Sequence, residues 1–156
     1  MTRPIPEGFH TITPTFVVKD CRKAIAFYKK AFGAIEQEVM PSPDGRGIMH
    51  ASLRIGDSTI MMGEERPDCP AKSAETLGGS PISLYVYVKD VDTAFQRAVD
   101  AGGETQMPLD DMFWGDRAGS IRDPFGYSWM LATHIKDLSP DEIAEGARET
   151  FASMAK

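Results

Sequence analysis

The chain repeats itself. Val18-Lys19-Asp20 recurs 70 positions later as Val88-Lys89-Asp90, and the residues after each copy match at the same offset. Cys21, Ala24, Ile25 and Tyr28 correspond to Val91, Ala94, Phe95 and Ala98. The i, i+3, i+4, i+7 spacing puts each quartet on one face of an amphipathic helix. Asp20 and Asp90 stand where an N-cap carboxylate accepts first-turn amides. Gly33 and Gly103 stand where a left-handed residue closes each helix. A chain that doubles a capped, striped helix is constrained to two similar modules, each needing a sheet to bury its stripe.

The sheets are legible around the helices. Before the first helix, Thr13, Thr15 and Val17 alternate with Pro14, Phe16 and Val18; before the second, Ser83, Tyr85 and Tyr87 alternate with Leu84, Val86 and Val88. Alternation sends the two sets to opposite faces of a strand. The aliphatic set is expected on the helix and the hydroxyl-bearing set toward solvent or a cavity. After the first helix, strand-like runs at 47–55 and 58–63 flank Gly56-Asp57, a hairpin signal. After the second, runs at 115–122 and 127–133 flank Asp123-Pro124-Phe125-Gly126, a turn with Pro at its second position. Weaker strands at 35–40 and 104–107 complete two β-α-β-β-β units.

This is an α+β reading: two βαβββ modules forming a curved mixed sheet around a cavity, plus a C-terminal helix. We expect one domain over 1–138, with repeats at about 10–65 and 80–135 and a Pro/Gly/polar linker at 64–80. The tail, 139–156, opens with Ser139-Pro140-Asp141-Glu142, a capping box with Pro at the first helical position. Its stripe of Ile143, Ala147, Phe151 and Met154 should dock on a module or on a partner subunit.

Composition narrows the function classes. A net charge of −6 with no basic run argues against a nucleic-acid or anionic-membrane surface. No stretch approaches the ~20 apolar residues of a membrane span, and the N-terminus carries no secretory h-region. The two cysteines, Cys21 on a helix stripe and Cys69 in a loop, read as reduced thiols rather than a disulfide. The expected location is the cytoplasm.

The run Val18-Lys19-Asp20…Ala24-Ile25-Ala26-Phe27-Tyr28…Phe32-Gly33, its echo at 88–103, and Asp123-Pro124-Phe125-Gly126-Tyr127 resemble the vicinal oxygen chelate superfamily, the glyoxalase and bleomycin-resistance fold. Asp111-Met112-Phe113-Trp114-Gly115-Asp116-Arg117, followed by Trp129 to His134, is similar to its PhnB-like branch. The resemblance covers roughly residues 10–138. In metal-dependent members, each module supplies a His or Gln from its first strand and a Glu from its last. The resemblance places Thr13 and Ser83 at the first-strand positions and Met61 and Met130 at the last-strand ones. Thioethers are soft and neutral hydroxyls bind hard divalent ions poorly, so neither a metal nor another cofactor is expected.

The candidate ligand-binding residues are therefore Thr13, Thr15, Ser83, Tyr85 and Tyr87, with Met61 and Met130 as adaptable apolar surface. Core packing is the competing role for both methionines. Trp114 and Arg117 are expected to stack a planar ligand and pair its acidic group. Alternatively, Trp114 caps a barrel mouth while Arg117 bridges to Asp116 or another carboxylate. His50 joins the set on strand parity, against a structural role for a half-buried histidine. No catalytic residue is assigned.

The expected function is binding of a small, partly aromatic or anionic molecule without a metal, either for sequestration or for an unassigned lyase or isomerase step. The alternative is a metal-dependent lyase, isomerase or dioxygenase with displaced ligands, drawn from His50, Glu64, Glu65 and Asp116. A purely structural role would leave the cavity filled with side chains. A homodimer is expected, because isolated modules leave open strand edges and relatives commonly pair modules.

Overall fold

The repeat is written into the backbone angles. Asp20 and Asp90 adopt φ −138° with ψ 97° and 95°, and their carboxylates accept the amides of Lys23 and Thr93. In the computed structural model, which describes residues 2–155, these caps open α1 (Cys21–Phe32) and α3 (Val91–Asp100). Met1 and Lys156, the outer ends of the expected domain and tail, lie outside the described residues. Strand β1 (Thr15–Val18) precedes α1, and β2 (Ile35–Pro41), β3 (Ile48–Ile55) and β4 (Ser58–Glu64) follow it. A short helix, α2 (Ala74–Leu77), interrupts the linker. Strand β5 (Ser83–Tyr87) precedes α3, and β6 (Glu104–Asp111), β7 (Asp116–Arg122) and β8 (Ser128–His134) follow it. Helix α4 (Pro140–Met154) ends the series.

The fold is α+β, two βαβββ units and a terminal helix. The strand orders are β1-β4-β3-β2 and β5-β8-β7-β6. In each sheet the first strand runs parallel to the last, and the other pairs are antiparallel. Each module contributes one four-stranded mixed sheet, and β1 and β5 are both edge strands.

Both stripes face inward. Cys21, Ala24, Ile25 and Tyr28 of α1 are buried, as are Val91, Phe95 and Ala98 of α3. They meet Phe16, Val18, Leu53, Met62, Ile121 and Leu131 in one core, where each large side chain contributes roughly 1.5–3 kcal/mol. The modules join through α1 against α3, where the Arg97 Nε–H donates to the Ala31 carbonyl at 3.0 Å. The Asp123 carboxylate staples the same junction. It accepts Tyr28 Oη–H at 2.7 Å, Trp129 Nε1–H at 2.9 Å and the amides of Phe125 and Tyr127.

Three local expectations are corrected. Gly33 does close α1 in the left-handed region at φ 64°, but Gly103 does not close α3. There the helix ends on Ala101, and Gly102 takes the positive φ of 119°. Gly103 is small for another reason: a Cβ would lie 2.9 Å from the Ala98 carbonyl oxygen. Thr13 falls outside β1, because its hydroxyl donates to the His10 carbonyl and leaves the chain turned there. The capping box of α4 forms between Ser139 and Glu142, yet no residue of that helix is buried. It lies against Phe113 through Gly146, and Phe151 and Met154 stay exposed.

Candidate functional site

The sheet register shows where the two modules differ. Thr15 pairs with Met61 as Tyr85 pairs with Met130, so β4 and β8 correspond residue by residue. On that correspondence Ser58 stands for Tyr127 and Ile60 for Trp129. In the second module, the Asp123–Gly126 turn carries buried Phe125, Tyr127 and Trp129 against the free edge of β1. The Tyr127 hydroxyl donates to the Val17 carbonyl at 2.7 Å. In the first module, the tight Gly56-Asp57 hairpin brings no ring to the free edge of β5. A cleft of about 780 Å³ remains there. Ile55, Ser58 and Ile60 form one wall and β5 from Leu84 to Tyr87 the other, with Phe32 and Trp129 also in the lining.

Beside this cleft, on the face of the second sheet turned away from α3, a polar cluster gathers around Asp116. This carboxylate opens β7 opposite His134 and is only 2% exposed. Its Oδ2 accepts Tyr85 Oη–H at 2.7 Å, Tyr87 Oη–H at 3.0 Å and Trp114 Nε1–H at 3.2 Å. Its Oδ1 lies 2.7 Å from His134 Nδ1, and His134 Nε2 is 2.9 Å from Asp137. Burial works against ionisation of Asp116, but bonds from His134, Tyr85, Tyr87 and Trp114 outweigh it and hold its pKa below the ordinary value. Burial and the Asp116 bond push the Tyr85 phenol up to about 12. The Asp116 bond likewise raises Tyr87. Both phenols are therefore fixed, neutral donors at neutral pH.

The expected site residues separate into two groups. Tyr85, Tyr87 and Trp114 converge on Asp116, with Met130 half-buried at Tyr85's pairing position and Ser83 exposed at the start of β5. Thr15, Met61 and His50 belong to the first sheet, where Met61 is half-buried between Thr15 and Ser52. Thr13 lies just before that sheet. Arg117 does not join Trp114. Strand alternation turns it toward α3, where its guanidinium bonds both oxygens of Asp92, at 2.9 and 2.7 Å, and Asp111 at 3.0 Å. The carboxylate bridge weighed for Arg117 forms, but with these two residues rather than Asp116. Asp116 as the organising residue was missed as a ligand-site residue, because its place opposite His134 is set by the β7–β8 register.

A metal is implied by part of the resembling family, so the donors need to fit one. Met61 and Met130 offer thioethers, and the Thr13 hydroxyl is turned to His10. The displaced set does no better. Asp116 is saturated by four donors, Glu64 accepts the Cys21 amide, and Glu65 accepts from Ser73 and Thr76. Among the described residues, no group of three His, Cys, Asp or Glu side chains is placed to hold a metal ion. The residues present do not fit a hard divalent cation.

Comparison with known proteins shows the family and the fold. The model of the Glyoxalase/Bleomycin resistance protein/Dioxygenase superfamily matches residues 8–131. The uncharacterized protein Mb0911c of Mycobacterium bovis is 43% identical over 135 residues, 85% of this chain and 88% of that one. TioX from Micromonospora sp. ML1 superposes with a TM-score of 0.64 at 26% identity, covering 81% of this chain and 99% of TioX. The PhnB protein from Bacillus cereus, at 20% identity and a TM-score of 0.62 over 80% of this chain and 99% of that one, shares the fold.

Proposed function

This chain belongs to the glyoxalase/bleomycin resistance protein/dioxygenase superfamily, and on that premise we propose that it binds a small, partly aromatic molecule in the cleft between its modules, without a metal. The observation that carries the reading is the break in repeat symmetry. Where the second module fills the space beside its neighbour's edge strand with Tyr127 and Trp129, the first leaves a cleft of about 780 Å³. Ligand pockets of this kind typically measure ~300–1,000 Å³, with mostly apolar walls and a few fixed polar groups. Ile55, Ile60, Leu84, Val86, Phe32 and Trp129 supply the walls, and Tyr85 and Tyr87 the polar lip.

The donor chemistry supports binding over metal-assisted catalysis, and the role is sequestration or a step run by protein groups alone. Free Cys21 and Cys69 suit action in the reducing cytoplasm. Screening aromatic fragments by amide chemical-shift mapping tests the reading. Shifts are expected at Ile55–Ile60 and Leu84–Tyr87. Shifts confined to the β2–β3 hairpin or to α4 would overturn it. Elemental analysis of purified protein should give far less than one metal per chain. About one per chain, lost together with ligand binding on chelation, would contradict the metal-free reading.

A further inference from the structure

We infer that the ligand of this site carries a positive charge, received by the Tyr85–Tyr87–Trp114 surface in front of Asp116. The inference rests on the cleft reading and adds the charge of what the cleft accepts.

The buried Asp116 carboxylate has no lysine or arginine among its bonded partners. Three of the four groups bonded to Asp116 are neutral: two phenols and an indole. The fourth, His134, is itself shared with Asp137. Arg117, next along the strand, is spent on Asp92 and Asp111 on the other face. Because both hydroxyls donate to the carboxylate, the phenol oxygens and ring faces in front of it become more electron-rich. Those faces are open, with Tyr85 43% and Tyr87 64% exposed. Their ring centroids lie 5.1 Å apart at 44°, giving one inclined surface at the lip of the cleft. An electron-rich aromatic surface backed by an anion attracts ammonium groups and repels carboxylates and sulfonates. Lys89 and Asp57 both line the cleft, one charge of each sign. The ligand class is therefore a quaternary or protonated amine on an apolar or aromatic body.

The test titrates benzyltrimethylammonium, benzyl alcohol and benzenesulfonate at low salt, read by tryptophan fluorescence, with Trp114 in the Asp116 cluster and Trp129 in the cleft lining. The cation should bind about tenfold or more tighter than the alcohol, and the sulfonate more weakly than either. Tyr87→Leu removes an exposed ring and should abolish the cation's advantage. Tyr87→Phe keeps the ring but cuts its bond to Asp116, and should cost the cation only a fewfold. Asp116→Asn should erase the preference, and circular dichroism checks that this variant folds. The Tyr87 pair decides the matter if it does not. Equal binding of all three probes, blocked by the cleft-filling substitution Ser58→Tyr, would overturn the charge inference and leave the cleft reading standing. Silence from all three would also overturn it, while the fragment map judges the cleft separately.

Discussion

Asp116 is bonded by two phenols and an indole and Asp123 by one phenol and an indole, yet their surroundings set them different tasks. Asp123 lies inside the module junction, where desolvation raises its pKa despite four donors. Removing one donor leaves a buried carboxylate short of a partner. Tyr28→Phe is therefore expected to cost about 1.5–3 kcal/mol in urea unfolding. At the open cluster, the bond to Asp116 and then that to Asp137 raise the pKa of His134. A histidine whose folded pKa is raised adds stability that is fully present below its unfolded value of about 6.5 and is lost as pH rises through the folded value. An NMR titration should place His134 above 6.5. Asp137→Asn should lower it while leaving it raised by Asp116. A midpoint at or below 6.5 in the intact protein would show that the His134–Asp116 contact does not persist in solution.

Helices α1, α3 and α4 and their N-caps were legible because helix signals are local, whereas α2 and the stop of α3 were not. Asp20→Ala and Asp90→Ala should each cost about 1 kcal/mol, measured by thermal unfolding. Gly103→Ala should cost more than Gly33→Ala. At Gly33 only the left-handed φ is penalised, whereas at Gly103 the new methyl meets the Ala98 carbonyl and the Ile121 side chain. The misplacement of Arg117 belongs to this scale too. Asp111 to Arg117 reads as a turn-rich segment in which Trp114 and Arg117 look like neighbours. Once β7 begins at Asp116, alternation sends Asp116 and Arg117 to opposite faces. The starting residue of a strand, which fixes that parity, depends on pairing with β6 and β8 and not on local composition. The cleft was hidden for the same reason, since it comes from comparing two hairpins that only the register aligns.

At the scale of the whole molecule, the repeat supplies the architecture and its imperfection leaves the cleft. No helix among the described residues is long and apolar enough to cross a membrane. We propose that the chain pairs as a homodimer, because Ile35 and Met40 on edge strand β2 and Met49 on the adjoining β3 are exposed. Light scattering should give twice the 17.1 kDa chain mass, and a mass of 17.1 kDa at high micromolar concentration would contradict it. The central claim, that a missing ring makes the binding site, is tested most directly by putting the ring back. Ser58→Tyr gives the first module the side chain that Tyr127 provides in the second, beside the free edge of β5. Aromatic fragments that bind the unmodified protein should then lose about tenfold or more in affinity while the melting temperature holds or rises. Unchanged affinity in a folded Ser58→Tyr protein would contradict the account.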